Sequence, residues 1–340
     1  MRNWLLDYLV CPVTGRPLVL ADAPSADDVA SGWLVSGGTG PRYPIVNGIP
    51  RFVSGEDYTS SFGYEWRRFP RLRLDSYNGT TLARETILRR TGWRDGDLRG
   101  RTVLECGCGA GTDTEVLLAL GAERIIAFDY SRSVEQAREN VPDPRVAFVQ
   151  ADVHRLPLRP GCADVVFCHR MIQHTPRPER AFFHLARHCA PGGQLVVHSY
   201  DRHLKSLLQW KYLLRPITRR LRPSTLMALL ETVGPLLYHL QLPILRCLGD
   251  NRYVVFLSSR LNPFNCSWLA YRRAGSRLTE DELFDVSLLE TYDALSPTHD
   301  HPSSAAAVTR WFLEAGFVDL TLTCRNPIVI KGRRPVSDDL

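Results

Sequence analysis

Three apolar runs, each closed by an acidic residue, mark the middle of the chain: Thr102-Val103-Leu104-Glu105, Arg124-Ile125-Ile126-Ala127-Phe128-Asp129 and Val146-Ala147-Phe148-Val149-Gln150-Ala151-Asp152. Short, nearly unbroken apolar runs bounded by turn residues predict strands buried on both faces of a parallel sheet. Two further runs, Ala163–Phe167 and Gln194–Val197, extend the series. After the first run, Gly107, Gly109 and Gly111 alternate with small residues, and a helical pattern begins at about Asp113. Strand, tight Gly-rich turn and helix form the first βα unit of a nucleotide-binding sheet. Glycines let the backbone there turn sharply and approach a ligand that a Cβ would push away. Downstream, the pattern predicts a helix over Ser303–Ala315 with a serine pair as N-cap, ended by Gly316, then strands over Phe317–Cys324 and Pro327–Lys331. The predicted class is α/β, with helices on both faces of the sheet.

Around this core (101–200, completed by 291–334) the pattern changes three times. Residues 1–55 read as a small α+β unit of their own: one or two helical turns, a Pro/Gly turn, then strands around Leu18 and over Tyr43–Phe52. Residues 56–100 form a linker and lid helix around Leu82–Thr91, with Phe62, Tyr64, Trp66 and Phe69 in an otherwise polar stretch and a basic cluster at Arg67, Arg68, Arg71 and Arg73. Over 201–290, apolar Leu204, Leu207, Leu208, Tyr212, Ile217 and Leu221 alternate with basic residues. A second apolar run, Leu226–Leu248, is interrupted by Pro235 and Pro243. That segment reads as a helical cap inserted into the core to wall off a substrate pocket; a basic amphipathic helix over 203–222 is also suited to a membrane or lipid surface.

Composition narrows the class. The 340 residues are 44% hydrophobic and 23% charged, ordinary for a globular enzyme, and a net charge of +6 permits an anionic partner without demanding one. Nine cysteines without paired metal spacing fit a reduced, cytoplasmic protein. No run reaches the ~18 apolar residues of a membrane span, and the first residues are broken by charge too early for a signal peptide.

The candidate chemistry lies at the strand ends. The spacing G-x-G-x-G puts Thr112 where a dinucleotide fingerprint needs its last glycine, and Glu105 stands two positions ahead of the first. This suits a ligand with a cationic amine and no phosphate. Asp129 is placed to accept from ribose hydroxyls, and Asp152 to take an adenine amino group. Beyond the fourth strand, Cys168–Pro176 carries His169 and His174 where an acceptor would meet that ligand. The loop Tyr292–Pro302 is dense in titratable groups, His299 and His301 among them.

Glu105-x-Gly107-x-Gly109-x-Gly111, Asp129, Asp152, the Ala163–Phe167 strand and Pro191-Gly192-Gly193 with the strand after it together resemble the class I S-adenosylmethionine-dependent methyltransferases, of the type 11-like group. The resemblance implies a Rossmann-like sheet and S-adenosyl-L-methionine as cofactor, held by Glu105, Gly107, Gly109, Gly111, Asp129, Tyr130, Asp152, Val153 and His169. It also implies a catalytic base among His174, His169 and His301, with Gln173 in place of a histidine the group often carries before His174. The implied reaction is methylation, at oxygen, of a small-molecule or lipid-like acceptor; the alternatives are a tRNA or protein methyltransferase and a non-catalytic cofactor-binding scaffold. No DNA or other nucleic-acid partner is expected. Leu5–Leu18 and Tyr43–Phe52 resemble the zinc-ribbon-like family that activates methyltransferases as a partner subunit, which would give residues 1–55 a protein partner. Of its two Cys-x-x-Cys pairs only Cys11 remains; Thr14 fills the second place, and Ser36 and Thr39 lie near the others, so no metal is expected.

Overall fold

The computed structural model describes residues 1–22, 27–37, 40–55, 57–202, 209–247 and 251–336 of the chain. Thr39 and residues 203–208 lie outside the described residues. The chain divides into two compact units, one of residues 1–57, 86–201 and 299–340, the other of residues 58–85 and 202–298.

The first unit holds two sheets. Strands β1 (Val19–Ala21), β2 (Gly32–Val35), β3 (Arg42–Val46) and β4 (Ile49–Pro50) form a small antiparallel sheet in sequence order. The strands read from the apolar runs are β5 (Thr102–Cys106), β6 (Arg124–Asp129), β7 (Val146–Gln150), β8 (Ala163–Cys168) and β9 (Cys189–Ser199), followed by β10 (Val318–Cys324) and β11 (Ile328–Arg333). They order as β10-β11-β9-β8-β5-β6-β7: β5 to β9 run parallel, and β10 and β11 close one edge antiparallel. This is the Rossmann-like arrangement the sequence predicts. Every residue of β7 and nearly every residue of β5 is buried, as strands covered on both faces must be.

Residues 1–57 share their hydrophobic core with the large sheet: Leu5, Leu9, Leu34 and Ile45 belong to the same cluster as Leu104, Ile126, Val166 and Phe182. Backbone bonds join the two sheets as well, with Phe52 N donating to Gln150 O at 2.9 Å. The helices of this unit are the second half of α3 (Leu82–Thr91), α4 (Thr112–Ala119), α5 (Ser133–Asn140) and α6 (Pro178–Ala186). A later helix (Ala305–Glu314), capped by Ser304 through Ala307 N, sets Phe312 edge-on against Phe182 of α6 with ring centroids 4.9 Å apart.

The second unit is helical, built from α1 (Ser60–Arg68), α2 (Asp75–Asn78), the start of α3, α7 (Trp210–Thr218), α8 (Pro223–Cys247), α9 (Arg252–Leu261), α10 (Trp268–Arg273) and α11 (Glu280–Leu295); Ala305–Glu314 is then α12. Its separate core gathers Phe69, Leu226, Tyr238, Phe264, Trp268 and Tyr292. Thr279 and Glu282 form a reciprocal capping box that starts α11. Pro235 and Pro243, which break the apolar run in the sequence, do not break α8: one helix passes through both. Its face carrying Leu226, Leu230, Tyr238 and Leu245 is buried in this core, and packing of an apolar face outweighs the lost backbone bonds.

Candidate active site

The site is built where β5, β6 and β8 end. Gly107 (φ +77°) and Gly111 (φ +91°) lie in the left-handed region, and a Cβ on Gly107 would sit 2.5 Å from Met171 Cγ. Only glycine permits both that dihedral and that approach. Gly111 also precedes α4 as its N-cap, so the turn delivers the positive end of a helix to the strand ends.

Glu105, next to last in β5, lies inside the protein, 2% exposed. Its Oε2 accepts from Thr114 Oγ1 at 2.6 Å, while Oε1 is buried with no hydrogen-bond partner. Burial, and then the charge of Asp113, pushes its carboxyl up to about 8 against the help of Thr114. A buried carboxyl with one oxygen unmet is a group that has given up water without full replacement. Asp129, at the end of β6, is more completely engaged: Oδ2 accepts from Gly109 N at 3.0 Å, and Oδ1 from Ser131 N and Oγ, both at 2.8 Å. It thus fixes the glycine turn from below, and a carboxylate has about four acceptor positions. Burial raises its pKa despite these bonds. Asp152 caps a short 3-10 turn (Val153–Arg155), its Oδ1 accepting from His154 N at 2.8 Å, and Val153 is buried. The Tyr130 carbonyl accepts from Gln150 Nε2 at 3.0 Å.

His169, just past β8, is engaged at both ring nitrogens. Nδ1 lies 2.6 Å from Asp113 Oδ2, and Nε2 lies 2.8 Å from Arg90 Nη1. A guanidinium only donates, so His169 carries its proton on Nδ1 and is neutral. Burial, reinforced by Arg170 and Arg90, lowers its pKa to about 4 although Asp113 pulls the other way. Burial also opposes ionisation of Asp113, but His169 and Arg170 (Nη2 to Oδ1, 3.0 Å) outweigh it and hold that carboxyl far below the usual range. Arg170 adopts a left-handed backbone, φ +59°, and its N–H donates to His198 Nδ1 at 3.2 Å. Non-glycine residues held there mark strained, functional segments. Asp113, Thr114, Arg90, Arg170 and His198 were not among the residues the sequence pointed to. Asp113 in the first turn of α4 carries a signal, an acid near the Gly-rich turn; Arg90 carries none.

The structure brings His174, His299 and His301 together. His174 Nδ1 lies 3.0 Å from the His299 carbonyl, which accepts and so leaves the lone pair on Nε2. His301 N donates to Gln173 O at 2.8 Å, and the rings of His299 and His301 stack at 5.5 Å. His301 itself is exposed. The Gln173 side chain is fully buried, with neither amide atom partnered.

In the amino-terminal segment Cys11 Sγ lies 3.3 Å from Tyr43 Oη, and Thr14 Oγ1 lies 2.9 Å from Ser36 Oγ. Hydrogen bonds link the side chains at those positions. Among the described residues no group of three or more His, Cys, Asp or Glu is arranged to hold a metal ion.

A family model described as a methyltransferase domain matches residues 104–197, which begin inside β5 and end inside β9. The cofactor of this domain class is S-adenosyl-L-methionine, and the glycine turn with the unmet Glu105 oxygen fits its amino-acid end. The chain is 34% identical over 125 residues to a ubiquinone biosynthesis O-methyltransferase of Cupriavidus pinatubonensis, covering 35% of this chain and 50% of that one. It is 37% identical over 106 residues to an uncharacterised 37.1 kDa protein in a Streptomyces fradiae transposon, covering 30% and 31%. A solved S-adenosylmethionine-dependent methyltransferase from Mesorhizobium loti superposes with a TM-score of 0.40 at 15% identity, over 74% of this chain and 98% of that one. The chain spans about a third to a half of the length of the curated relatives it matches. No helix among the described residues is long and apolar enough to cross a membrane.

Proposed function

We propose that the protein is an S-adenosylmethionine-dependent methyltransferase that methylates a hydroxyl of a small or lipid-like metabolite. The observation that carries this reading is the buried, half-partnered Glu105 beside a glycine turn that no side chain could enter. Glu105 would hold the ammonium group of the cofactor, the Gly107–Gly111 turn its amino-acid backbone, Asp129 the ribose, and Asp152 with Val153 the adenine. The cofactor supplies a methyl already activated on a sulfonium. The chain's own work is then to orient the acceptor, keep water out and take the hydroxyl proton.

His174 Nε2 is the nitrogen we assign to that proton. Its ring orientation is fixed from the other side by the His299 carbonyl and by Tyr200, whose ring lies edge-on at 5.6 Å. His169 serves instead as a positioning residue: protonating it would place a cation between Arg90 and Arg170. Gln173, with its unpaired buried amide, is suited to meet a polar atom of the acceptor. The Cupriavidus relative's name, an O-methyltransferase, supports oxygen as the methylated atom.

The test is calorimetric titration of the intact protein with S-adenosylhomocysteine. Micromolar binding that weakens in Glu105→Gln is expected; no binding by the intact protein refutes the proposal. Once an acceptor turns over, His174→Ala should lower kcat roughly a hundredfold while leaving S-adenosylhomocysteine affinity unchanged.

A further inference from the structure

The helical unit leaves much apolar surface uncovered. Of the eighteen large apolar side chains exposed among the described residues, ten lie on just three helices, α7, α8 and α9. On α8, Leu229, Val233, Leu236 and Leu240 follow one another at intervals of four, three and four, so they form a stripe along one face. A different face of the same helix, with Leu226, Leu230, Tyr238 and Leu245, packs into the core. On α7, Leu213 and Ile217 stand one turn apart, each 68% exposed, while Leu214 packs against the core. On α9, Tyr253, Phe256 and Leu257 are exposed while Val254 and Val255 pack inward. The three helices are neighbours. Trp210 Nε1, at the start of α7, donates to Arg260 O on α9 at 2.9 Å, and Asn262 Nδ2, at the C-cap of α9, donates to Leu237 O on α8 at 2.7 Å. Single exposed leucines are ordinary on a protein surface; rows of them on adjacent helices mark a place where something docks.

The charge of the same stretch says what docks. Residues 210–261 carry eight Lys and Arg against two Asp and Glu, a net charge of +6. That equals the net charge of the whole chain, so the remainder is balanced. One of the two acids, Glu231, is already paired with Arg68 at 3.2 Å. Arg219, Arg220 and Arg222, just past the end of α7, are all exposed. A second copy of the chain would bring an equal positive charge against this face. Nucleic acid would meet the arginines and leave the leucines in water. An anionic lipid surface satisfies both, since its headgroups attract the arginines and its acyl boundary takes the apolar side chains. No helix among the described residues is long and apolar enough to cross a membrane, so the contact is one of lying on it.

We propose that the exposed apolar faces of α7, α8 and α9, with Arg219, Arg220 and Arg222, seat the protein on an anionic membrane surface. Eight of the ten exposed side chains lie on α8 and α9, beyond the basic stretch 203–222 that the sequence pointed to. The surface shares no residue with the methyl-transfer reading, and its binding is measured without cofactor or acceptor.

The test is co-sedimentation of the full chain with vesicles of equal parts phosphatidylglycerol and phosphatidylcholine, and with vesicles of phosphatidylcholine alone. Binding to the anionic vesicles should be about tenfold or more the tighter. It should fall severalfold as salt rises from about 0.1 to about 1 M, which shortens the screening length from about 10 to about 3 Å. Replacing the three arginines together (Arg219→Gln, Arg220→Gln, Arg222→Gln) should weaken it roughly a hundredfold, about fivefold for each charge. Leu236→Gln with Leu240→Gln should weaken it about tenfold or more, because two exposed leucines no longer leave water on binding. All five positions are exposed, so both variants should keep the Tm of the intact protein, and the arginine variant decides the matter if the leucine variant does not fold. No binding to the anionic vesicles overturns the proposal, as does equal binding to phosphatidylcholine alone or binding unchanged in either variant. So does a dimer in analytical ultracentrifugation that Leu236→Gln with Leu240→Gln dissociates, since a second copy would then cover this face.

Discussion

If Glu105 receives the cofactor's ammonium group, binding must be coupled to loss of a proton, and the size of that coupling follows from the geometry. Glu105 is buried, holds one hydrogen bond from Thr114 and faces the negative charge of Asp113, so its carboxyl stands near 8 and not at the ordinary 4.5. The difference corresponds to roughly 5 kcal/mol against the charged form. An arriving ammonium reverses that balance: it supplies the missing partner for Oε1 and neutralises the charge that burial penalises. The ionised fraction of the free protein falls almost tenfold for each pH unit below 8, so S-adenosylhomocysteine should bind roughly twentyfold more tightly at pH 7.5 than at pH 6. Titration at pH 6.5 in buffers of different ionisation enthalpy should report close to one proton released per ligand bound. Glu105→Gln removes the titrating group and one charge-assisted bond; it should flatten the pH profile and weaken binding at pH 7.5 by roughly ten- to a hundredfold. Affinity that is flat from pH 6 to 7.5 in the intact protein, or an unchanged slope in Glu105→Gln, would refute the assignment of Glu105 to the ammonium group.

The same carboxyl makes a prediction about the ligand-free protein. Because its folded pKa lies above its unfolded one, the stability it contributes is complete below about 4.5 and is lost as pH rises to about 8. Urea titrations of the intact protein and of Glu105→Gln should therefore diverge across that window, the variant gaining in relative stability toward pH 8. Gly107→Ala should destabilise by about 2 kcal/mol and abolish S-adenosylhomocysteine binding, since its Cβ would lie 2.5 Å from Met171 Cγ at a left-handed φ; chemical denaturation and calorimetry read the two effects. Asp113→Ala removes the anion that stands between Arg90, Arg170 and His169, and should cost about 3 kcal/mol, seen as a lower Tm in differential scanning calorimetry.

The sheet was legible because buried parallel strands leave little freedom in composition: the interiors of β5 to β7 are apolar runs, and Glu105 near the end of β5 and Asp129 at the end of β6 stand out against them. The glycine turn was legible for a similar reason, since its dihedrals admit almost nothing else. Pro235 and Pro243 interrupt the apolar run without ending α8, because the apolar face of that helix is packed into its own core and offsets a cost of about 3 kcal/mol per interior proline.

The role of His169 was not legible at all. In sequence it is a candidate base after β8, behind His174, and also one of the residues the resemblance gives to the cofactor. Its partners are Asp113, 56 residues before it, and Arg90, 79 residues before it, and nothing local ties the three together. Once they meet, the choice between the two histidines follows from donor and acceptor counting alone. His169 gives its proton to a carboxylate that must stay charged and receives one from a guanidinium that cannot accept, so its protonation state is fixed by both neighbours. His174 Nδ1 meets a backbone carbonyl, a partner with no charge to lose. A residue that must change its protonation in each turnover needs that second kind of environment, and a residue that must hold a helix end, a strand end and two arginines in register needs the first.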